Sequence, residues 1–152
     1  MNLNPKQLII LSAIGLVFSL IIHLIAISDW YQVSNTIIMI LTAGILLVWL
    51  QSSKNLKVLH KAYPDQHPWK TVFTIGPEWA KYLLYFFIFY AVLNFALMMS
   101  FGSSNNYLNF EVSQSKLRGL SGFWMAFYAL GLVFGYALNI HLKNFQEESD
   151  KS

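Results

Sequence analysis

The sequence predicts an all-α integral membrane protein, a bundle of four transmembrane helices with both termini in the cytoplasm. Hydrophobic residues make up 56% of the chain and charged residues only 11%, against about 25% charged in a water-soluble domain. Four stretches, residues 8–27, 33–50, 82–101 and 119–142, contain no Asp, Glu, Lys or Arg. About 20 apolar residues carry a helix across a hydrocarbon core of roughly 30 Å. The charges are thus confined to the connections and ends. A length of 152 residues fits one domain.

The first span, Leu8–Ile27, is too long for the 7–15-residue apolar region of a signal peptide, so it reads as a retained helix. Ser12, Gly15, Ser19 and His23 recur on it at spacings of three and four. They form one stripe of small and polar residues, which faces protein rather than lipid. Ser28–Gln32 is a tight turn that makes the next span an antiparallel neighbour, and its Trp30 and Tyr31 suit a membrane interface.

The second span, residues 33–50, can continue as helix beyond the membrane until Pro64. Residues 51–78 form a cytoplasmic connection, and Pro68 is expected to keep its second half irregular. Leu56, Leu59, Tyr63, Trp69 and Phe73 interleave there with Lys54, Lys57, Lys61 and Lys70, a pattern that places the segment against the cytoplasmic leaflet.

Gly76-Pro77-Glu78 starts the third span, residues 79–101: proline suits a first turn and Glu78 complements the helix dipole. This span is dense in aromatics, with Tyr90 and Asn94 deep on one face. Residues 102–118, rich in Ser and Asn, form an outer loop. The fourth span, residues 119–142, carries Gly131-x-x-x-Gly135 and the pair Gly122 and Ala126, spaced for close helix approach within the chain or between two copies of it. The polar tail after Lys143 is expected to fray.

Lysine and arginine fix the orientation. Lys6, Lys54, Lys57, Lys61, Lys70, Lys81, Lys143 and Lys151 lie on one side, and only Lys116 and Arg118 on the other. The richer side is cytoplasmic.

Candidate chemistry is sparse. Cysteine is absent, which removes thiolate metal sites and cysteine nucleophiles. No carboxylate lies inside a span to couple transport to protons or cations. No nucleophile elbow, HExxH, Walker A or dinucleotide fingerprint occurs, and no basic, aromatic-interleaved block suggests nucleic acid. His23 and His141 fall at opposite ends of the bundle, about 20 Å apart at 1.5 Å rise per residue, too far to share one haem iron. His60, Asp65, His67 and His141 share the cytoplasmic side, but their spacing matches no compact metal-ligand pattern. No cofactor or metal is expected.

One site remains. His23, Asn94, Trp124 and Tyr128 fall at comparable depth in the outer half, with Tyr90 one turn below Asn94. They can converge, with His23 bonding to Asn94 or Tyr128, either as helix packing or as a ligand pocket. The stretch Arg118–Tyr128 is dense in distinctive residue types. Mostly through absences, the sequence points to a non-enzymatic accessory or scaffold protein of a bacterial cytoplasmic membrane. Its partners would be membrane lipids, other membrane proteins, or a second copy through Gly131 and Gly135. The rival readings are a small oligomeric transporter or channel with a neutral polar lining, and a lipid-modifying enzyme using His60, His67 or His141.

Overall fold

The computed structural model describes residues 3–28, 31–101 and 114–150. These form five helices: α1 (Pro5–Ser28), α2 (Asn35–Ala62), α3 (Pro68–Ile75), α4 (Glu78–Phe101) and α5 (Gln114–Ser149). No strand occurs among the described residues. Four of the helices, all but α3, are long and apolar enough to cross a membrane.

Local sequence explains the helix starts. Asn4 caps α1: its Oδ1 accepts from the Gln7 amide at 2.8 Å, and Gln7 Oε1 accepts from the Asn4 amide at 3.0 Å. This reciprocal pair is a capping box, followed by Pro5 at the first helical position, where its missing N–H costs nothing. Pro68 does the same for α3, so the irregular stretch expected after it is instead a two-turn helix. α2 continues to Ala62, and the Tyr63 amide closes it on the Leu59 carbonyl at 3.0 Å. The connection expected over residues 51–78 is therefore mostly helical. α5 begins at Gln114, inside the expected outer loop, and runs to Ser149 through the tail expected to fray. Beyond Gly135 that segment has neither glycine nor proline, and half of its residues up to Ser149 are Ala, Leu, Lys, Gln or Glu, all good helix formers. Trp30 and residues 102–113 lie outside the described residues.

α5 is the hub. Its most extensive packing is with α1, then with α4 and then α2, while α3 lies against α2 and α5. In its apolar window 61% of residues are buried, against 22–33% in the other three long helices. Those three turn broad apolar faces outward, among them Ile10, Phe18, Met39, Ile40, Phe86, Phe89 and Val92. Such contiguous exposed apolar surface is untenable in water and ordinary against lipid tails.

Small residues set the approach of α1 and α4 to the hub. A side chain at Gly131 would strike Ser12 of α1 and Val48 of α2, and one at Gly135 would strike Ile9 of α1. Gly122 packs on Ala91 and Asn94 of α4, and Ala126 is buried beside it. The GxxxG face is thus occupied inside the chain.

Candidate functional site: a polar network between the spans

His23 is 2% exposed, deep between α1, α4 and α5. Its Nδ1 lies 2.7 Å from Ser121 Oγ on α5, and its Nε2 lies 2.6 Å from the Tyr90 hydroxyl on α4. The Ser121 hydroxyl donates to the Arg118 carbonyl at 3.1 Å. Having spent its one proton there, Ser121 can only accept from His23, so Nδ1 carries the hydrogen. Nε2 then faces the Tyr90 hydroxyl, a group that can either donate to it or accept from it. The result is a continuous chain of hydrogen bonds linking Tyr90, His23, Ser121 and a backbone carbonyl.

Asn94 adds a second branch. Its Nδ2 donates to the Tyr90 carbonyl at 2.8 Å, and its Oδ1 accepts from Arg118 Nε at 3.2 Å. Arg118 thus brings a cation to the edge of the network. The whole assembly joins α1, α4 and α5 at one level, where each unpaired polar group would cost several kcal/mol, roughly, in hydrocarbon.

The sequence-predicted residues are distributed as follows. His23 and Tyr90 meet directly, and Asn94 joins through the Tyr90 backbone. His23 bonds neither Asn94 nor Tyr128, the two partners expected for it; Tyr90 and Ser121 take their place. Tyr128 belongs to a different contact. Its hydroxyl donates to the Leu41 carbonyl of α2 at 2.8 Å, and its ring lies between Gly15 of α1 and Gly44 of α2. Trp124 is buried in the core. Ser19 bonds the Gly15 carbonyl at 2.7 Å, and Ser12 presents a buried hydroxyl without a partner.

Two further polar features escaped the sequence reading. Gln51 clamps the backbone of Leu3, donating to its carbonyl at 3.0 Å and accepting from its amide at 3.3 Å. This anchors the start of the chain to α2. His141 pairs with the Tyr63 hydroxyl at 3.2 Å, linking α5 to the end of α2. Among the described residues no three His, Asp or Glu converge as metal ligands.

No family model, no curated protein and no solved structure matches the chain. The network must be read from its own chemistry, which is that of a polar tie between helices. His23→Leu leaves the Tyr90 hydroxyl and the Ser121 oxygen without their imidazole. It is expected to lower unfolding free energy in mixed micelles by about 1–2 kcal/mol, the scale of interhelical hydrogen bonds in membranes. Unchanged stability in that variant, with Tyr90→Phe equally neutral, would remove the structural role.

Proposed function

We propose that this chain is a non-enzymatic accessory or scaffold protein of a bacterial cytoplasmic membrane, with both termini and the α2–α4 connection in the cytoplasm. One observation carries this reading. His23 and Asn94 are each 2% exposed and spend their bonds inside the protein, His23 on α4 and α5, and Asn94 on its own helix and on Arg118 of α5. A solute path would need such groups to face water, and a hydrolytic centre would need one of them poised over a cleft. Groups committed to holding helices together suit a protein whose outer faces do the work. The orientation is supported by eight Lys/Arg on one side against two on the other.

The test has two arms. Crosslinking in native membranes, followed by native mass spectrometry in mild detergent, is expected to give a stoichiometric complex with another membrane protein. Liposomes containing the chain alone are expected to leak no faster than empty ones. Solute flux that disappears in His23→Leu would favour the transporter reading instead. Reporter fusions after Tyr31 should report the outer side, and fusions at Gln66 and after Lys143 the cytoplasm. An outer-side signal at Gln66 reverses the orientation.

A further inference from the structure

Arg118 is the only arginine in the chain, and its guanidinium is only partly engaged. Its Nε donates to Asn94 Oδ1 at 3.2 Å. Asn94 is itself fixed, since its Nδ2 donates to the Tyr90 carbonyl at 2.8 Å. Among the described residues no acceptor bonds either terminal nitrogen of Arg118, and no carboxylate pairs with its charge. The side chain is half-buried, yet those terminal nitrogens reach the surface. Among the described residues the fully buried side-chain atoms without a partner belong to Ser12, Ser52 and Asn55.

The level of this charge follows from its neighbours. His23 lies about 26 Å along α1 from Lys6 at 1.5 Å per residue. In a hydrocarbon core of roughly 30 Å, that puts His23 about 4 Å inside the edge opposite Lys6. His23 meets Ser121, and Arg118 stands one turn of α5 beyond it, at that edge.

We infer that Arg118 is a binding site for the phosphate of a phospholipid in the leaflet on its own side of the membrane, whichever side that is. With Nε taken by Asn94, the edge between the two Nη atoms remains. It offers two parallel N–H groups to two phosphate oxygens. Phosphodiesters are the anions that crowd the layer just outside the hydrocarbon, within reach of a long side chain at its edge. A free anion would have to shed its water to arrive there, and a carboxylate on a partner's helix would have to be buried at the same level. The bond to Asn94 ties the guanidinium to α4, so the phosphate is held at one place on the bundle rather than by a side chain sweeping the interface. The Arg118 carbonyl accepts from Ser121, so the headgroup sits at the end of the network that joins α1, α4 and α5.

Because the chain has a single arginine, isotope-labelled arginine reports on this side chain alone. The full chain is placed in bilayers of phosphatidylglycerol and phosphatidylethanolamine in phosphate-free buffer. Carbon–phosphorus recoupling by solid-state NMR is expected to find a phosphorus within about 5 Å of the guanidinium carbon, the spacing of a two-bond Arg–phosphate pair. This arm uses the wild type and needs no variant. Native mass spectrometry gives a second arm. One phosphatidylglycerol per chain should survive mild activation. It should be retained about ten-fold better than a galactolipid with the same acyl chains and no phosphate, the worth of a charge-assisted hydrogen bond. Arg118→Gln should abolish that preference, with thermal unfolding to show that the variant is folded. No phosphorus near the guanidinium, or equal retention of the two lipids by the wild type, overturns the assignment. So does a phosphorus contact that inorganic phosphate restores in galactolipid bilayers, because the ligand is then a free anion. A contact seen only in Asp29→Asn or Glu111→Gln, the acids of the two connections on this side, also overturns it, because Arg118 is then paired within the chain.

Discussion

Gly44→Ala is expected to destabilise the protein by about 1–3 kcal/mol, the cost of overpacking a filled core, and to lose most of that cost when Tyr128 is changed to Phe. The geometry is specific. A methyl at Gly44 runs into the Tyr128 hydroxyl oxygen, while the next ring atom, Cζ, stays 3.4 Å away, close to ordinary contact. Removing the oxygen removes the clash. Tyr128→Phe alone gives up the hydrogen bond to the Leu41 carbonyl, about 1 kcal/mol at the membrane scale. Gly15→Ala is the control, because its methyl strikes the ring carbons themselves, which phenylalanine keeps. The double-mutant cycle should therefore show coupling well above about 0.5 kcal/mol for the Gly44–Tyr128 pair and little for Gly15–Tyr128. Additive effects in both cycles would mean that the ring is not held between the two glycines.

The larger loss is expected from Gly131→Leu combined with Gly135→Leu. A Cβ at Gly131 meets Val48 Cγ1 at 2.5 Å, and one at Gly135 meets Ile9 Cγ1 at 2.7 Å. Behind Ile9 Cγ1 stand backbone atoms, the Ile9 amide nitrogen at 3.3 Å and the Pro5 carbonyl oxygen at 3.4 Å, which no rotamer change can move. α1 must retreat from α5, and His23 then loses Ser121. With two overpacked sites at roughly 1–3 kcal/mol each and the network broken, a loss above about 3 kcal/mol is expected, enough to depopulate the folded state at modest denaturant. Unfolding in mixed micelles measures it. If the glycines served only an interface between copies, the double variant would change the oligomeric mass and leave unfolding of the single chain as it was.

Much of this fold is legible in the sequence because lipid imposes a coarse rule. Charge cannot sit in hydrocarbon, so the four charge-free stretches mark four helices. The polar residues of the site are legible for the same reason: His23, Tyr90 and Asn94 are conspicuous in apolar runs. Their partners are not. Helical spacing gives depth and relative face along one helix, but not which neighbour that face meets. Tyr128, at a plausible depth, therefore points to α2 rather than to His23. Ser121 carries no signal beyond being a serine near a helix start. Arg118 reads as a loop charge because charges end the apolar window, although the helix itself begins at Gln114. Gly44 is a lone glycine in its span, and only the Tyr128 ring gives it a purpose. Pro68 can stop or start a helix. The capping position of His67, with its extended backbone, decides for a start.

The central position of α5 bears on how the protein is made. A ribosome releases α1, α2 and α4 into the membrane before the helix against which all of them pack. Until α5 arrives, His23 lacks Ser121, Asn94 lacks Arg118, and the ridge of Ser12 and Ile9 has no glycines to receive it. The nascent chain thus passes through a stage in which the inserted helices have only one another, as α1 has α2, and lack the surface that takes most of their packing. Synthesis of the last helix is therefore the step that completes assembly.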